Sequence, residues 1–315
     1  MTASVIEQTG KLFGDLWHRY DEKLFRESVE LFAMRFQANG FDLDWFQGNR
    51  CLDAGCGGGR YSMAMGILGA EQVIGADISS SGLDDARRRA ATIPNVEFRE
   101  GSVLDLPFED ASFDFVCCSG VLHHTSDAKR GLSQLVRVLK PGGRLFLLLY
   151  GKEGYRWPTI MACRPHADAI GYRLLDEAIQ EAGLPANKQR TFLDDLFVPL
   201  IDFYDWDEVR SMLADNGITE AERWTNGKLD HESSIDVQKL ELEQLLSVYT
   251  GALKSGDSKY ADVMGELEKS RDAVQGFLDR LNSDCADFEN AAIDRQELEW
   301  RVFGWGHHRV MAYKS

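Results

Sequence analysis

The chain reads as an α/β protein built on a doubly wound, mostly parallel sheet. Three observations predict it. Short apolar runs alternate with helix-length segments from Cys51 to Tyr150. One run, Phe113–Ser119, is apolar throughout except for Asp114, as expected of a strand covered on both faces. Four glycines, Gly55, Gly57, Gly58 and Gly59, fall where the first run meets the first helix. There the backbone can turn sharply and approach a ligand with no Cβ in the way.

The elements follow in order. Residues 1–45 are helical and aromatic-rich: Leu16, Tyr20, Leu24, Val29, Leu31, Phe32 and Phe36 recur at three- and four-residue spacing, and Asn39-Gly40 supplies a stop. This segment is either a helix packed on the main domain or a lid that brings Phe13, Trp17 and Tyr20 to a ligand. Within 46–150, strands are expected at Cys51–Ala54, Gln72–Ala76, Val96–Arg99, Phe113–Ser119 and Arg144–Tyr150. The intervening helices are expected at Tyr61–Gly69, Ser81–Thr92 and Lys129–Leu139, the last ended by Pro141-Gly142-Gly143. Arg87, Arg88 and Arg89 read as a solvated face. A helix over Asp207–Asn216 and a sixth strand at Ile218–Trp224 follow, and His308–Tyr313 is the last strand.

Composition bounds the function. A chain of 315 residues with 44% hydrophobic and 10% aromatic side chains suits a packed globular protein. A net charge of −16, with no long Lys/Arg run, argues against nucleic acid and anionic membrane partners. Glu7, Lys11 and Asp15 break the N-terminal apolar runs and no stretch approaches membrane-spanning length, so the expectation is a cytoplasmic protein without a membrane span. The six cysteines lack C-x-x-C spacing, and Cys117-Cys118 read as reduced core side chains. Scattered histidines predict no metal site.

Ligands of such sheets bind outside the carboxyl ends of the strands. Asp77 ends the second strand, 24 residues beyond Asp53 and placed to meet ribose hydroxyls, with capping of the next helix as the alternative.

Five segments together, LDAGCGGG (52–59), VIGADIS (73–79), GSVLDLPFED (101–110), FDFVCCSGVLHH (113–124) and LVRVLKPGGRLFLLLY (135–150), closely resemble a class I S-adenosylmethionine-dependent methyltransferase of the small-molecule and quinone-type group. The resemblance covers about one hundred residues. It implies a Rossmann-like sheet of seven strands, the seventh antiparallel between the fifth and sixth, and S-adenosyl-L-methionine as cofactor. It places Asp53, Gly55 and Gly57 around the methionine part, Asp77 and Ile78 at the ribose, and Ser119 and Gly120 beside the methionine. Ser102 stands where the family often has an acid facing the adenine, leaving that contact to Ser102, the Val103 backbone or Asp105. His123 and His124 follow the fourth strand, where an imidazole can take a proton from a nucleophile. The alternative is that one caps a helix and the other packs.

The fourth strand lacks the Asn/Asp-Pro-Pro-aromatic tetrapeptide of enzymes acting on base amino groups, and no Pro-Cys pair of cytosine enzymes occurs. The expected acceptor is a small or medium biosynthetic molecule: a natural product, a sugar or a quinone-like aromatic. A non-catalytic cofactor-binding interaction protein and an RNA methyltransferase are the alternatives. Helical additions are expected over the active-site edge. The insertion at 151–206 carries Asp194, Asp195, Phe203, Tyr204 and Trp206 as candidate substrate contacts, with Tyr20 from the N-terminal segment, or else it is a hydrophobic brace. Residues 207–224 and 308–315 complete the sheet. The insertion at 225–307 holds a helical stripe (Tyr260, Val263, Met264, Leu267, Val274, Phe277, Leu278, Leu281) that suits a substrate lid or a homodimer face.

Overall fold

The computed structural model describes residues 3–17, 22–228 and 232–315. Seven strands form one sheet: β1 (Arg50–Ala54), β2 (Gln72–Asp77), β3 (Val96–Glu100), β4 (Phe113–Ser119), β5 (Leu139–Tyr150), β6 (Glu220–Trp224) and β7 (His307–Tyr313). Their order is β3-β2-β1-β4-β5-β7-β6, with β7 antiparallel to both neighbours and all other pairs parallel. This is the doubly wound sheet expected, and the chain order reverses between β1 and β4. The glycine turn after β1 therefore sits at the switch point of the sheet.

Alternation along β4 explains the two faces. Phe115 and Cys117 enter a layer with Phe36, Phe46, Tyr61 and Phe146. Val116 and Cys118 enter a layer with Leu132, Leu135, Val209 and Met212 on the other face. Helices α1 (Ala3–Trp17), α2 (Glu22–Ala38), α3 (Arg60–Ile67), α4 (Ser80–Arg89) and α5 (Ala128–Val138) flank the sheet strands in sequence. Phe36 is fully buried against Phe32, Phe41, Phe146 and Trp224, and such a side chain contributes about 2–3 kcal/mol on burial.

Three local expectations are corrected. α5 ends at Val138, close to the expected Leu139, but Pro141-Gly142-Gly143 lies inside β5 and does not form the turn between them; the register shift between Phe113 and Phe115 absorbs the extra residues, and Gly142 N–H bonds the Lys314 carbonyl at 2.7 Å. The N-terminal segment is two helices. The arginine run does not share one solvated face, because three consecutive helical residues spread over about 200°. Arg89 turns inward, over the Phe25 ring at 4.2 Å and paired with Asp85 at 2.9 Å.

The chain divides into two compact units: 1–151, 199–227 and 307–315, holding the sheet, and 152–198 with 228–306. The second unit is helical, comprising α6 (Arg156–Ile170), α7 (Tyr172–Glu181), α8 (Ala186–Phe197), α10 (Ile235–Lys254), α11 (Met264–Glu289) and α12 (Arg295–Phe303), while α9 (Trp206–Ala214) belongs with the sheet. The two insertions expected to be separate elements thus build one unit, and residues 199–206 return to the sheet. The stripe offered as a dimer face is largely spent inside this unit: Tyr260, Leu267, Val274 and Leu281 are buried, whereas Met264 is exposed. No helix among the described residues is long and apolar enough to cross a membrane.

Candidate active site

The glycine turn is closed by short hydrogen bonds. Gly55 and Cys56 N–H groups both reach the Ala76 carbonyl, at 2.7 and 3.1 Å, tying the loop to the end of β2. Gly55 has φ +79°, and a Cβ there would meet the Val121 side chain at 2.4 Å, so glycine is required on two counts. Gly59, also left-handed, caps α3 without a side-chain bond.

Asp77 clamps two loops at once. Its Oδ2 accepts from Gly57 N–H and its Oδ1 from Ser79 N–H, both at 2.8 Å. Burial pushes its pKa up, and the Ser79, Gly57 and Ile78 amides pull against that. The helix α4 is capped by the next serine: the Ser79 hydroxyl accepts from Gly82 N–H at 3.2 Å. With three amides on about four lone-pair sites, the Asp77 carboxylate retains capacity for a ligand hydroxyl. Asp53 has one oxygen engaged within the fold. It is buried, accepts from the Ser62 hydroxyl at 2.7 Å, and has its pKa raised to about 6 by burial, against Ser62 and Arg60.

The remaining expected donor-side residues divide. Ser102 is locally engaged: its hydroxyl accepts from Leu104 N–H at 3.2 Å and its carbonyl from Asp105 N–H at 3.0 Å, while the Val103 side chain is buried in the core. Gly120, at φ +78°, has no atom within 4 Å of where a Cβ would stand, leaving open space at the end of β4. The α1 helix runs against this region. A Cβ on Gly10 would approach Ile78 at 3.7 Å, one on Gly14 would overlap the Ser81 hydroxyl, and Phe13 meets His124 at 5.5 Å between ring centroids. The lid candidate Phe13 is therefore beside the histidine pair. Tyr20 lies outside the described residues, as does the Trp17 side chain.

The histidine pair is the center of a ring ladder. His123 stacks on Tyr150 at 3.7 Å and touches His124 at 4.2 Å, and Tyr150 stacks on His307 at 5.0 Å. His123 is fully buried with neither ring nitrogen hydrogen-bonded; burial, then His124 and His307, hold its pKa well below the ordinary imidazole value. His124 Nδ1 lies 2.8 Å from the Leu200 carbonyl. A carbonyl only accepts, so Nδ1 carries the proton in the neutral ring and the lone pair is on Nε2. The Asp202 N–H donates to the His123 carbonyl at 2.8 Å, so the returning segment 199–205 holds the pair in place.

The candidate substrate cluster is split. Tyr204 and Trp206 belong to the sheet unit: Tyr204 N–H bonds the Tyr150 carbonyl at 2.9 Å, and Trp206 stacks on His308 at 5.9 Å. Burial, then Asp202 and Glu208, push the Tyr204 phenol up to about 12. Asp194 and Asp195 are in the helical unit, both buried, and Asp195 bonds Arg156. The sequence does not single out Tyr150, the Leu200 carbonyl or Arg35, although the last is the one arginine on the apolar side of α2.

Residues 52–147 match the family described as "Methyltransferase domain". The sheet unit contains a methyltransferase domain of the S-adenosylmethionine-dependent kind. A demethylmenaquinone methyltransferase of Clavibacter sepedonicus is 44% identical over 146 residues, covering 42% of this chain and 59% of that protein. A Staphylococcus aureus demethylmenaquinone methyltransferase is 31% identical over 144 residues, 45% of this chain and 60% of that protein. The chain thus spans about three-fifths of the length of these curated relatives. The YcgJ protein of Bacillus subtilis is similar in structure at TM-score 0.48 and 17% identity, over 90% of this chain and 97% of that one. The methyltransferase domain fits its donor on its own terms: a glycine turn free of Cβ atoms, an acid with lone pairs to spare, and open space at Gly120. Among the described residues no cluster suits a metal ion.

Proposed function

We propose that the chain transfers a methyl group from S-adenosylmethionine to a small planar aromatic alcohol of the quinol class. The observation that carries this reading is the ring ladder of Phe13, His124, His123, Tyr150 and His307, which gathers flat rings at the carboxyl ends of β4 and β5, its members Phe13, Tyr150 and His307 being only partly buried. Such faces favour stacking of a flat ring over the polar edge of a sugar. The curated names of the two demethylmenaquinone methyltransferases point the same way.

The donor supplies an electrophilic methyl on a sulfonium, so the protein's work is alignment and handling of the acceptor's proton. Gly55 and Gly57 let the backbone approach the methionine part, and Asp77 with Ile78 receives the ribose. Ser119 and Gly120 lie where the acceptor and donor meet. His124 is the base: the Leu200 carbonyl fixes its tautomer, and Nε2 takes the proton as the acceptor atom bonds the methyl carbon and the carbon–sulfur bond breaks. His123, held neutral and buried, acts as a flat support for that ring.

The test is transfer of labelled methyl to demethylmenaquinol, a catechol, a hexose and transfer RNA in parallel. Label in the quinol or catechol supports the proposal. Label confined to the hexose or RNA overturns it, and tight donor binding with no transfer to any of them favours a binding-only protein.

A further inference from the structure

Among the described residues, the cation Arg35 of α2 has no counter-ion. Its side chain is more than nine-tenths buried, Nε has no hydrogen-bond partner, and among the described residues no carboxylate pairs with it. Among the described residues its guanidinium makes one side-chain bond, from Nη1 to the Tyr61 hydroxyl oxygen at 2.7 Å. Burying a guanidinium away from water without a paired charge is costly, and a protein that keeps one there commonly has a ligand anion to meet it.

Tyr61 locates the cation. It is the second residue of α3, directly behind the glycine turn, and the Arg60 guanidinium lies over its ring at 4.7 Å. Burial alone would raise the Tyr61 pKa, but Arg35, then Arg60, outweigh it and bring the phenol below its ordinary value, with the Ser119 hydroxyl acting in the same direction. Two guanidinium groups, a phenol and the end of β4 therefore converge. The nearby acid, Asp53, is already bonded to Ser62.

We propose that Arg35 and Tyr61 form a subsite for a ligand carboxylate at the methyl-donor end of the sheet. A guanidinium presents a planar fork that matches a carboxylate in two-point contact, and the phenol adds a third polar atom. The carboxylate belongs either to the amino-acid part of the donor or to the acceptor. The inference rests on the reading of this unit as donor-binding.

Calorimetry on the full chain decides it, with S-adenosylhomocysteine, its decarboxylated analogue, and benzoate added to the adenosylhomocysteine complex. For the donor source, Arg35→Met weakens adenosylhomocysteine about tenfold to a hundredfold and leaves the decarboxylated analogue at wild-type affinity. For the acceptor source, both nucleosides bind as in wild type and benzoate binding is lost. Unchanged binding of all three probes overturns the subsite, and so does equal weakening of the two nucleosides, which marks a purely structural cation. Should Arg35→Met fail to fold, the wild type and Arg35→Lys answer instead. A wild type that prefers adenosylhomocysteine to its decarboxylated analogue, with the preference reduced in Arg35→Lys, supports the subsite. A wild type that prefers neither and ignores benzoate overturns it. A folded wild type that binds neither nucleoside defeats the donor-binding reading itself, and benzoate binding to the free chain, lost in Arg35→Met, then still decides for or against Arg35.

Discussion

In the helical unit, Arg156 bonds Asp195 and Glu241 together, and Glu241 also receives Lys188. At the carboxyl end of the sheet, Arg35 and His123 are buried as deeply, yet among the described residues neither has a charged partner. The first arrangement joins α6, α8 and α10 through charges that satisfy one another. The second leaves donors and acceptors whose desolvation is not offset within the described protein. On the function proposed above, the contrast separates groups that hold the fold from groups available to a ligand. It puts Asp195, which looks like a pocket residue in sequence, among the paired charges, whereas Asp194 beside it keeps a buried Oδ1 with no hydrogen-bond partner among the described residues.

The largest expected effect breaks the paired side of this comparison. Arg156→Met should destabilise the chain by about 3–5 kcal/mol, because it strands Asp195 in the interior and leaves Glu241 with Lys188 alone. Burial already raises Asp195 to about 7, against Arg156, and Asp194 to about 6. A carboxyl with a raised pKa binds its proton in the folded state at pH values where the unfolded chain has released it, so its contribution weakens as pH rises from about 4 through 7. Without Arg156 the Asp195 carboxyl must hold that proton still more tightly. The penalty measured by urea unfolding should therefore be larger at pH 8 than at pH 5. An equal penalty at both pH values would show that Arg156 acts by packing alone.

At the carboxyl end of the sheet, the test is turnover rather than stability. His124→Ala should lower kcat about a hundredfold with the chosen acceptor, in the range of a lost general base, and remove the limb of the pH–rate profile due to imidazole protonation. Its unfolding midpoint should move far less than that of Arg156→Met. If rate and profile both survive, His124 is a wall of the site and not its base.

The fold was legible because its signals are local. Strand and helix runs in 50–150, the glycine turn and the acid at Asp77 are each readable within a few residues, and each lies where expected. The site partners are not local. The Leu200 carbonyl that orients His124 is 76 residues away, and any residue type would supply it. Arg156 and Asp195 are 39 apart, and the sequence does not reveal which charge neutralises which. Arg35 looks like one polar break in an apolar stripe until Tyr61 and the missing counter-ion are seen together. The split of Phe192–Trp206 between two units was hidden for the same reason: aromatic and acidic composition is alike on both sides of Val198 and Pro199.

Asp77 lies between the two kinds of polar group, and its variants give the smallest and most divided effect. Its two oxygens hold Gly57 and Ser79 amides, so it has a structural task within the loop. The proposed ribose contact would use the same oxygens' remaining lone pairs. Asp77→Ala removes both tasks and should weaken adenosylhomocysteine about tenfold while lowering stability by about 1–2 kcal/mol. Asp77→Asn keeps one carbonyl acceptor and should recover part of each. Calorimetry and urea unfolding on the same preparations separate the outcomes. A stability loss with undiminished affinity would leave Asp77 as a clamp on the glycine turn and would remove it from the ribose, whereas parallel losses that Asn only partly restores would mean that one carboxylate holds both the loop and the ligand.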